Sequence, residues 1–324
     1  MKRMEIFGTL KKDMDAVERS LYACIEVESE ALGEAAMHLL KAGGKRLRPA
    51  FVLLGGKFGT YELERLQLIA VPLELIHMAS LVHDDVIDNA QTRRGQLTVK
   101  AKWDNRIAMY TGDYIYAKAL EMVAGLEDPR IHRVLAKAMV EMSIGEMEQI
   151  RDFFNSNQSI RRYLLRIRRK TALLIAVSCQ LGALAAGASE KEAHELYNYG
   201  YNVGMAFQIR DDLLDLCGTE KQIGKPPGSD IRQGNITIPV LYALQEERLR
   251  APLLEEIVRI HAANGHTDVT AAVTMIRSSG GIARAEELAD RYTQKALDAL
   301  GRLPDIRARR HLRDIANFVS RRTY

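Results

Sequence analysis

The sequence predicts an all-α fold, helices packed as one large domain, on three observations. Only eight of its 324 residues are proline, so long helices can run unbroken. Ala, Leu, Glu, Lys, Arg and Met dominate the composition, and all are good helix formers. Apolar residues recur at three- and four-residue spacing, as in Leu135, Met139, Met142 and Met147, while alternating Val/Ile/Thr runs are almost absent, so no sheet is expected.

The helices are delimited by turn formers. Breaks are expected at Gly43-Gly44, Arg93–Gly95, Glu127–Pro129, Gly187–Ser189, Gly224–Gly234, Gly265–Asp268 and Ser278–Gly281. None is a long Gly/Ser/Pro linker and no solenoid-type period is present, so 1–324 reads as one domain of ten or more helices. Met1–Leu10 is basic without the apolar core of a secretory signal. Thr171–Gly187 is mostly apolar and follows the basic run Arg166–Lys170, but Ala, Gly, Ser, Cys and Gln dilute it. It reads as a buried core helix rather than a membrane span.

Composition excludes several classes. Hydrophobic residues at 47% and charged residues at 27% describe a globular rather than a disordered chain. A net charge of only +4 with 6% aromatics argues against a nucleic-acid surface. Cys24, Cys179 and Cys217 are odd in number and far apart, which suits neither a disulfide framework nor a zinc site and fits a cytoplasmic protein.

The chemistry concentrates in two acidic clusters. Residues 73–88 read LELIHMASLVHDDVID, an apolar helix ending in Asp84, Asp85 and Asp88. Asp84 and Asp88 share a helix face, and such carboxylates suit a hard cation such as magnesium. QIRDDLLD, Gln208–Asp215, repeats the spacing with Asp211, Asp212 and Asp215. Six carboxylates with metal ions make a site for a polyanion, a diphosphate above all. Candidate cations to match are Lys45, Arg46 and Arg48 in GGKRLRP, Arg93 and Arg94, and Lys170 at the head of the apolar helix. The rest of Arg161–Lys170 reads as a solvated face. His77, one heptad before Asp84, shares its face, and Gln208 precedes Asp212 by a turn. GKPPGSDIRQGN, Gly224–Asn235, is a polar loop with Lys225 and Asp230, suited to a lid.

These segments together resemble the trans-prenyltransferases that make polyprenyl diphosphates. GGKRLRP, LVHDDVIDNAQTRRG, YTGDY, GEMEQ, RKT, GMAFQIRDDLLD and GKPPGSDIRQGNITIP fall in that family's order along essentially the whole chain. ELIHMASLVHDDVID, KAKW and RIRRKTALLIA are similar to the catalytic large subunit of the two-component heptaprenyl diphosphate synthases. The resemblance implies the isoprenoid synthase fold, a single large helical bundle with a central active-site cavity, and condensation of isopentenyl diphosphate onto a farnesyl-type allylic diphosphate. The product would be a C35 diphosphate for the menaquinone side chain.

It also implies roles for residues. Lys45, Arg48, His77 and Arg94 would hold isopentenyl diphosphate; Arg93, Lys170, Thr171, Gln208 and Lys225 the allylic diphosphate. Asp84, Asp88 and Asp211 would be the leading Mg2+ ligands, supported by Asp85, Asp212 and Asp215. Asn235 stands where many members carry Lys. The product would grow along the helix before Asp84, past Ile76, Ala79 and Ser80; short-product members often carry Phe or Tyr four or five positions back. The implied assembly is a heterodimer with a small component I, or a homodimer when alone, with transient membrane-surface contact for product release. A terpene cyclase would usually lack the second cluster and GGKRLRP, and a non-catalytic regulatory subunit should have lost carboxylates. A homodimeric synthase of another chain length is the alternative.

Overall fold

Polar side chains at the helix starts fix where the chain turns. Asp104 and Ser159 each accept a hydrogen bond from a backbone N–H three residues on, satisfying donors that a helix start leaves open. Ser189 and Glu192 form a reciprocal capping box: the Glu192 N–H donates to Ser189 Oγ, and the Ser189 N–H donates to Glu192 Oε2.

The computed structural model describes residues 10–25, 29–220 and 226–321. Its elements run α1 (Lys11–Ala23), α2 (Glu30–Lys41), α3 (Leu47–Gly56), α4 (Leu63–Ile87), β1 (Thr92–Arg93), β2 (Gln96–Leu97), α5 (Val99–Lys102), α6 (Asn105–Ala124), α7 (Pro129–Arg151) and α8 (Ile160–Ile167). A π-helical turn (Arg168–Ala172) leads into α9 (Leu173–Ala185), α10 (Glu190–Cys217), α11 (Ser229–Arg232), α12 (Ile238–Ala243), α13 (Glu247–Ala262), α14 (Thr270–Arg277), α15 (Gly281–Gly301) and α16 (Arg307–Ser320).

The expected all-α class is what forms, with one small addition. The Arg93–Gly95 break is the tip of a two-stranded antiparallel hairpin, β1 against β2. Arg94 and Gly95 both have positive φ, 54° and 78°, the backbone that a two-residue hairpin turn demands. Four residues of strand are too few to show as an alternating pattern. Pro72 and Pro252 lie inside α4 and α13 without ending them.

Contacts divide the chain into two units. The first comprises Met1–Ala136, Val177–Tyr197 and Leu303–Leu312; the second comprises Lys137–Ala176, Asn198–Arg302 and Arg313–Tyr324. Four of the five boundaries fall within helices, in α7, α9, α10 and α16, and the fifth lies between α15 and α16. In the first unit α3 and α4 supply much of the core, with Leu53, Leu54, Leu66, Ile69, Leu73 and Leu75 fully buried. In the second, Ile209, Leu213 and Leu216 of α10 pack with Ile238 and Val240 of α12 and Ile257 and Ile260 of α13.

The apolar stretch 171–187 is indeed a core helix: α9 is 13 residues long and almost wholly buried. Among the described residues the helix long and apolar enough to cross a membrane is instead α4, with 67% of its apolar window buried.

Candidate active site

In the first unit, α4 carries the first carboxylate cluster at its C-terminal end. Asp84 and Asp85 are buried, at 8% and 2% exposure, and Asp88 caps the helix, its N–H bonded to the Asp84 carbonyl at 2.8 Å. Burying like charges on one turn penalises their ionised forms. Desolvation accordingly raises the Asp85 pKa, opposed by Arg93. That guanidinium grips Asp85 Oδ1 with Nε at 2.8 Å and Nη2 at 2.7 Å. The hairpin is what aims it there, and His38 of α2 steadies the hairpin through the Leu97 carbonyl at 2.8 Å.

Two turns back from Asp84 on α4 lies the cationic part of the site. His77 is held well below its usual pKa, first by burial and then by Arg48, Arg94, Arg93 and Arg46. Those four guanidiniums thus act together against protonation of one imidazole. The Arg48 pKa is itself pushed down to about 10 by burial, with Glu74 opposing the shift and Arg94 adding to it. Its Nε is buried without a hydrogen-bond partner in the protein. Crowding cations this way is costly without an anion between them. Arg94 also lies directly against Gly44, where an added Cβ would stand 2.6 Å from its Nη1, so the second glycine of GGKRLRP is what lets that arginine in.

The three basic residues of GGKRLRP take different roles. Lys45 is exposed. Arg46 is structural: it is 4% exposed, bound to Glu18 at 2.8 Å and Glu74 at 3.2 Å, and bonded to the Leu40 carbonyl. Arg48 points into the cationic group. Glu74, buried at 2% exposure beneath Arg46 and Arg48, has no counterpart in the sequence reading, because a lone Glu on an apolar helix carries no motif.

In the second unit, α10 carries Asp211, Asp212 and Asp215. Asp212 and Asp215 are each 3% exposed. Gln208 Nε2 donates to Asp212 Oδ1 at 2.9 Å, and Thr171 Oγ1 donates to Gln208 Oε1 at 2.8 Å. The Tyr163 hydroxyl donates to Asp212 Oδ2. Burial, then the neighbouring Asp230 and Asp211 carboxylates, push the Asp212 pKa well up against those two donors. Burial beside Asp212 also holds the Tyr163 phenol well above its usual range. Tyr163 was not among the residues singled out from sequence. It sits seven positions before Lys170, and the intervening π turn breaks the helical register that would have placed both on one face.

Lys170 and Thr171 ride on that π turn. Lys170 Nζ bonds Glu146 of α7 at 2.8 Å, and Arg169 bonds Glu141 at 2.9 Å and also Glu148. Two glycines permit the approach: a Cβ on Gly145 would stand 2.7 Å from Arg169 Cβ, and one on Gly204 would stand 2.5 Å from Ala172 Cα. The basic run is therefore not a solvated face. Arg166 is 5% exposed, and Arg162 and Arg166 both pair with the buried Asp152. The polar loop is tied to the cluster by two N–H donors: Gly228 to the Asp215 carbonyl at 2.8 Å and Asp230 to Asp215 Oδ2 at 3.1 Å. Lys225 lies outside the described residues. Asn235 is half-buried, its N–H bonded to the Asp230 carbonyl. Of the chain-length positions, Ile76 and Ala79 are fully buried and Ser80 is half-buried, its Oγ donating to the His77 carbonyl at 2.8 Å.

The donor chemistry fits magnesium. Both clusters offer hard carboxylate oxygens in surroundings that disfavour uncompensated negative charge. Among the described residues no three acidic, His or Cys side chains close into a cage. Magnesium takes one or two carboxylates and completes its shell with water and phosphate oxygens.

Comparison with known proteins agrees with this chemistry. Residues 29–276 match the family described as Polyprenyl synthetase. A curated heptaprenyl diphosphate synthase component 2 from Geobacillus stearothermophilus is 55% identical over 327 residues, covering 100% of both chains. Its counterpart from Bacillus subtilis (strain 168) is 48% identical, covering 100% of this chain and 92% of that one. The crystal structure of heptaprenyl diphosphate synthase from Staphylococcus aureus matches with a TM-score of 0.89 at 38% identity, over 97% of this chain and 99% of that one. The chain thus belongs to the polyprenyl synthetase family and is a prenyltransferase with the all-α isoprenoid synthase fold.

Proposed function

We propose that this chain condenses isopentenyl diphosphate onto a farnesyl-type allylic diphosphate, in repeated trans additions, to make heptaprenyl diphosphate for a menaquinone side chain. It does so as the catalytic member of a pair with a small partner subunit, and the whole chain works as one catalytic domain. The observation that carries this reading is the full-length likeness to two curated component 2 chains. The retention of all six carboxylates supports a catalytic rather than a regulatory role.

Asp84, Asp88 and Asp211 would hold Mg2+, with Asp85, Asp212 and Asp215 supporting them. When bound, the ion supplies charge neutralisation for the allylic diphosphate. Lys170, Thr171, Gln208 and Arg93 orient that diphosphate, so that the allylic C–O bond breaks with the electron pair leaving on oxygen. Lys45, Arg48, Arg94 and neutral His77 hold isopentenyl diphosphate, whose double bond attacks the allylic cation; His77 has an N–H to donate without adding a further charge. A proton then passes to the departed diphosphate and a trans double bond forms. The loop bearing Lys225 and Asp230 excludes water, which would quench the cation. Release of a long apolar product favours transient contact with a membrane surface.

The test is incubation of the purified chain with farnesyl diphosphate, radiolabelled isopentenyl diphosphate and Mg2+, with and without the small subunit. A C35 product that needs the partner is expected. Full long-chain synthesis by the chain alone would reject the two-component reading and favour a homodimeric synthase.

A further inference from the structure

We propose that Tyr163 is a positioning residue of the second carboxylate cluster: its buried hydroxyl fixes Asp212 and, through Gln208, the hydroxyl of Thr171. The inference rests on the prenyl-transfer reading above and deepens it, since nothing in the sequence motifs points to this tyrosine.

The hydrogen bonds have one direction. Thr171 Oγ1 donates to Gln208 Oε1, which leaves Gln208 Nε2 to donate to Asp212 Oδ1. From the other side Tyr163 donates to Asp212 Oδ2. A tyrosine with no exposed surface must place its O–H on an acceptor, so each carboxylate oxygen of Asp212 answers to its own protein donor. Without the Tyr163 hydroxyl, Asp212 can turn about its Cβ–Cγ bond. The Gln208 amide then loses its fixed acceptor and becomes free to flip. The Thr171 proton is no longer committed, and the π turn carrying Lys170 loses one of its ties.

The first cluster fixes its aspartate at the same position by different means. Its middle carboxylate, Asp85, is gripped by both Nε and Nη2 of Arg93. In each Asp-Asp-x-x-Asp motif the second aspartate is thus bound by the protein itself: Asp85 of α4 by the guanidinium of Arg93 from the hairpin, Asp212 of α10 by the phenol of Tyr163 from α8 and the amide of Gln208. Tyr163 and Arg93 are equivalent in task though not in chemistry.

A purely structural tyrosine would owe its burial to its ring, which packs in the cluster containing Ile167, Ala172, Met205 and Ile209. Tyr163→Phe keeps that packing and removes only the oxygen. Two measurements are decisive. The first is Mg2+-dependent binding of inorganic pyrophosphate by calorimetry. The second is steady-state kinetics with each substrate varied in turn, for Tyr163→Phe, Asp212→Asn and the double variant. Pyrophosphate binding should weaken about tenfold and kcat/KM for the allylic diphosphate should fall about tenfold. The isopentenyl diphosphate KM should stay within about twofold, and the double variant should be no worse than Asp212→Asn alone.

Unchanged binding and kinetics in a folded Tyr163→Phe would overturn the proposal. So would additive losses in the double variant, or a Tyr163→Phe chain that does not fold, which would assign the hydroxyl to stability. A wild type that binds pyrophosphate but transfers no prenyl group with or without a partner would refute the proposed function, while pyrophosphate binding would still decide the role of Tyr163.

Discussion

His77 lies under the influence of four arginines, and its depressed pKa has a measurable consequence. Burial and Arg48, Arg94, Arg93 and Arg46 depress the His77 pKa. The unfolded chain, with an imidazole pKa near 6.5, therefore binds a proton that the folded chain refuses. Stability contributed by the neutral form is fully present above about pH 7 and is lost as pH falls below about 6.5, by up to about 1.4 kcal/mol per pH unit. Between pH 7.5 and 5.5 the wild type should lose about 1 kcal/mol more stability than His77→Gln, read from denaturant midpoints. Equal losses would mean that His77 titrates freely. His77 was legible in the sequence only as a residue on the aspartate face. Arg46 and Arg48 looked alike there, yet one is locked by Glu18 and Glu74 while the other faces the imidazole. A distinction of that kind depends on partners distant in sequence, which a motif does not display.

Helix α4 and the π turn show what a whole element adds. α4 was readable from its apolar run and terminal aspartates, although it begins at Leu63 and runs through Pro72. About 20 residues precede Asp84 on it, giving roughly 30 Å of wall. If the product grows along that wall, a ring four or five residues back stands about 6–7.5 Å from the cluster. Ala79 is fully buried, so Phe there would force neighbours apart; Ser80, half-buried, is the cleaner probe. Ser80→Phe should shorten the product by several isoprene units while the first condensations continue, as chromatography of the dephosphorylated alcohols would reveal. An active variant with unchanged products would place the growing chain elsewhere. The π turn was not legible at all. Its sequence, RRKTA, reads as ordinary helix, and only the close crossings at Gly145 and Gly204 show why the register changes there. The same extra residue hid Tyr163 from a search by helical spacing.

For the molecule as a whole, the sparse prolines and three- and four-residue periodicity were enough to give the all-α class, and the glycine and proline breaks mark about half of the connections between the described helices. Turns made without those residues, such as Asp152–Ser159 with its buried Asp152 and Gln158, were not foreseen, because their buried side chains find partners distant in sequence: Gln158 donates to the Ile236 carbonyl and accepts from Arg166. Each unit contributes one carboxylate cluster with its own donors, Arg93 in one and Tyr163 with Gln208 in the other. The central claim is that both clusters serve a single metal-dependent prenyl transfer. The most direct measurement is incorporation of radiolabelled isopentenyl diphosphate into an acid-labile, solvent-extractable product. It should be made with the partner subunit present, with Mg2+ or with excess chelator, for the wild type, Asp84→Ala and Asp211→Ala. The account predicts that chelator abolishes incorporation and that either substitution alone lowers it by about a thousandfold or more, with melting temperatures unchanged. Full incorporation in excess chelator, or near wild-type turnover in either variant, would contradict it.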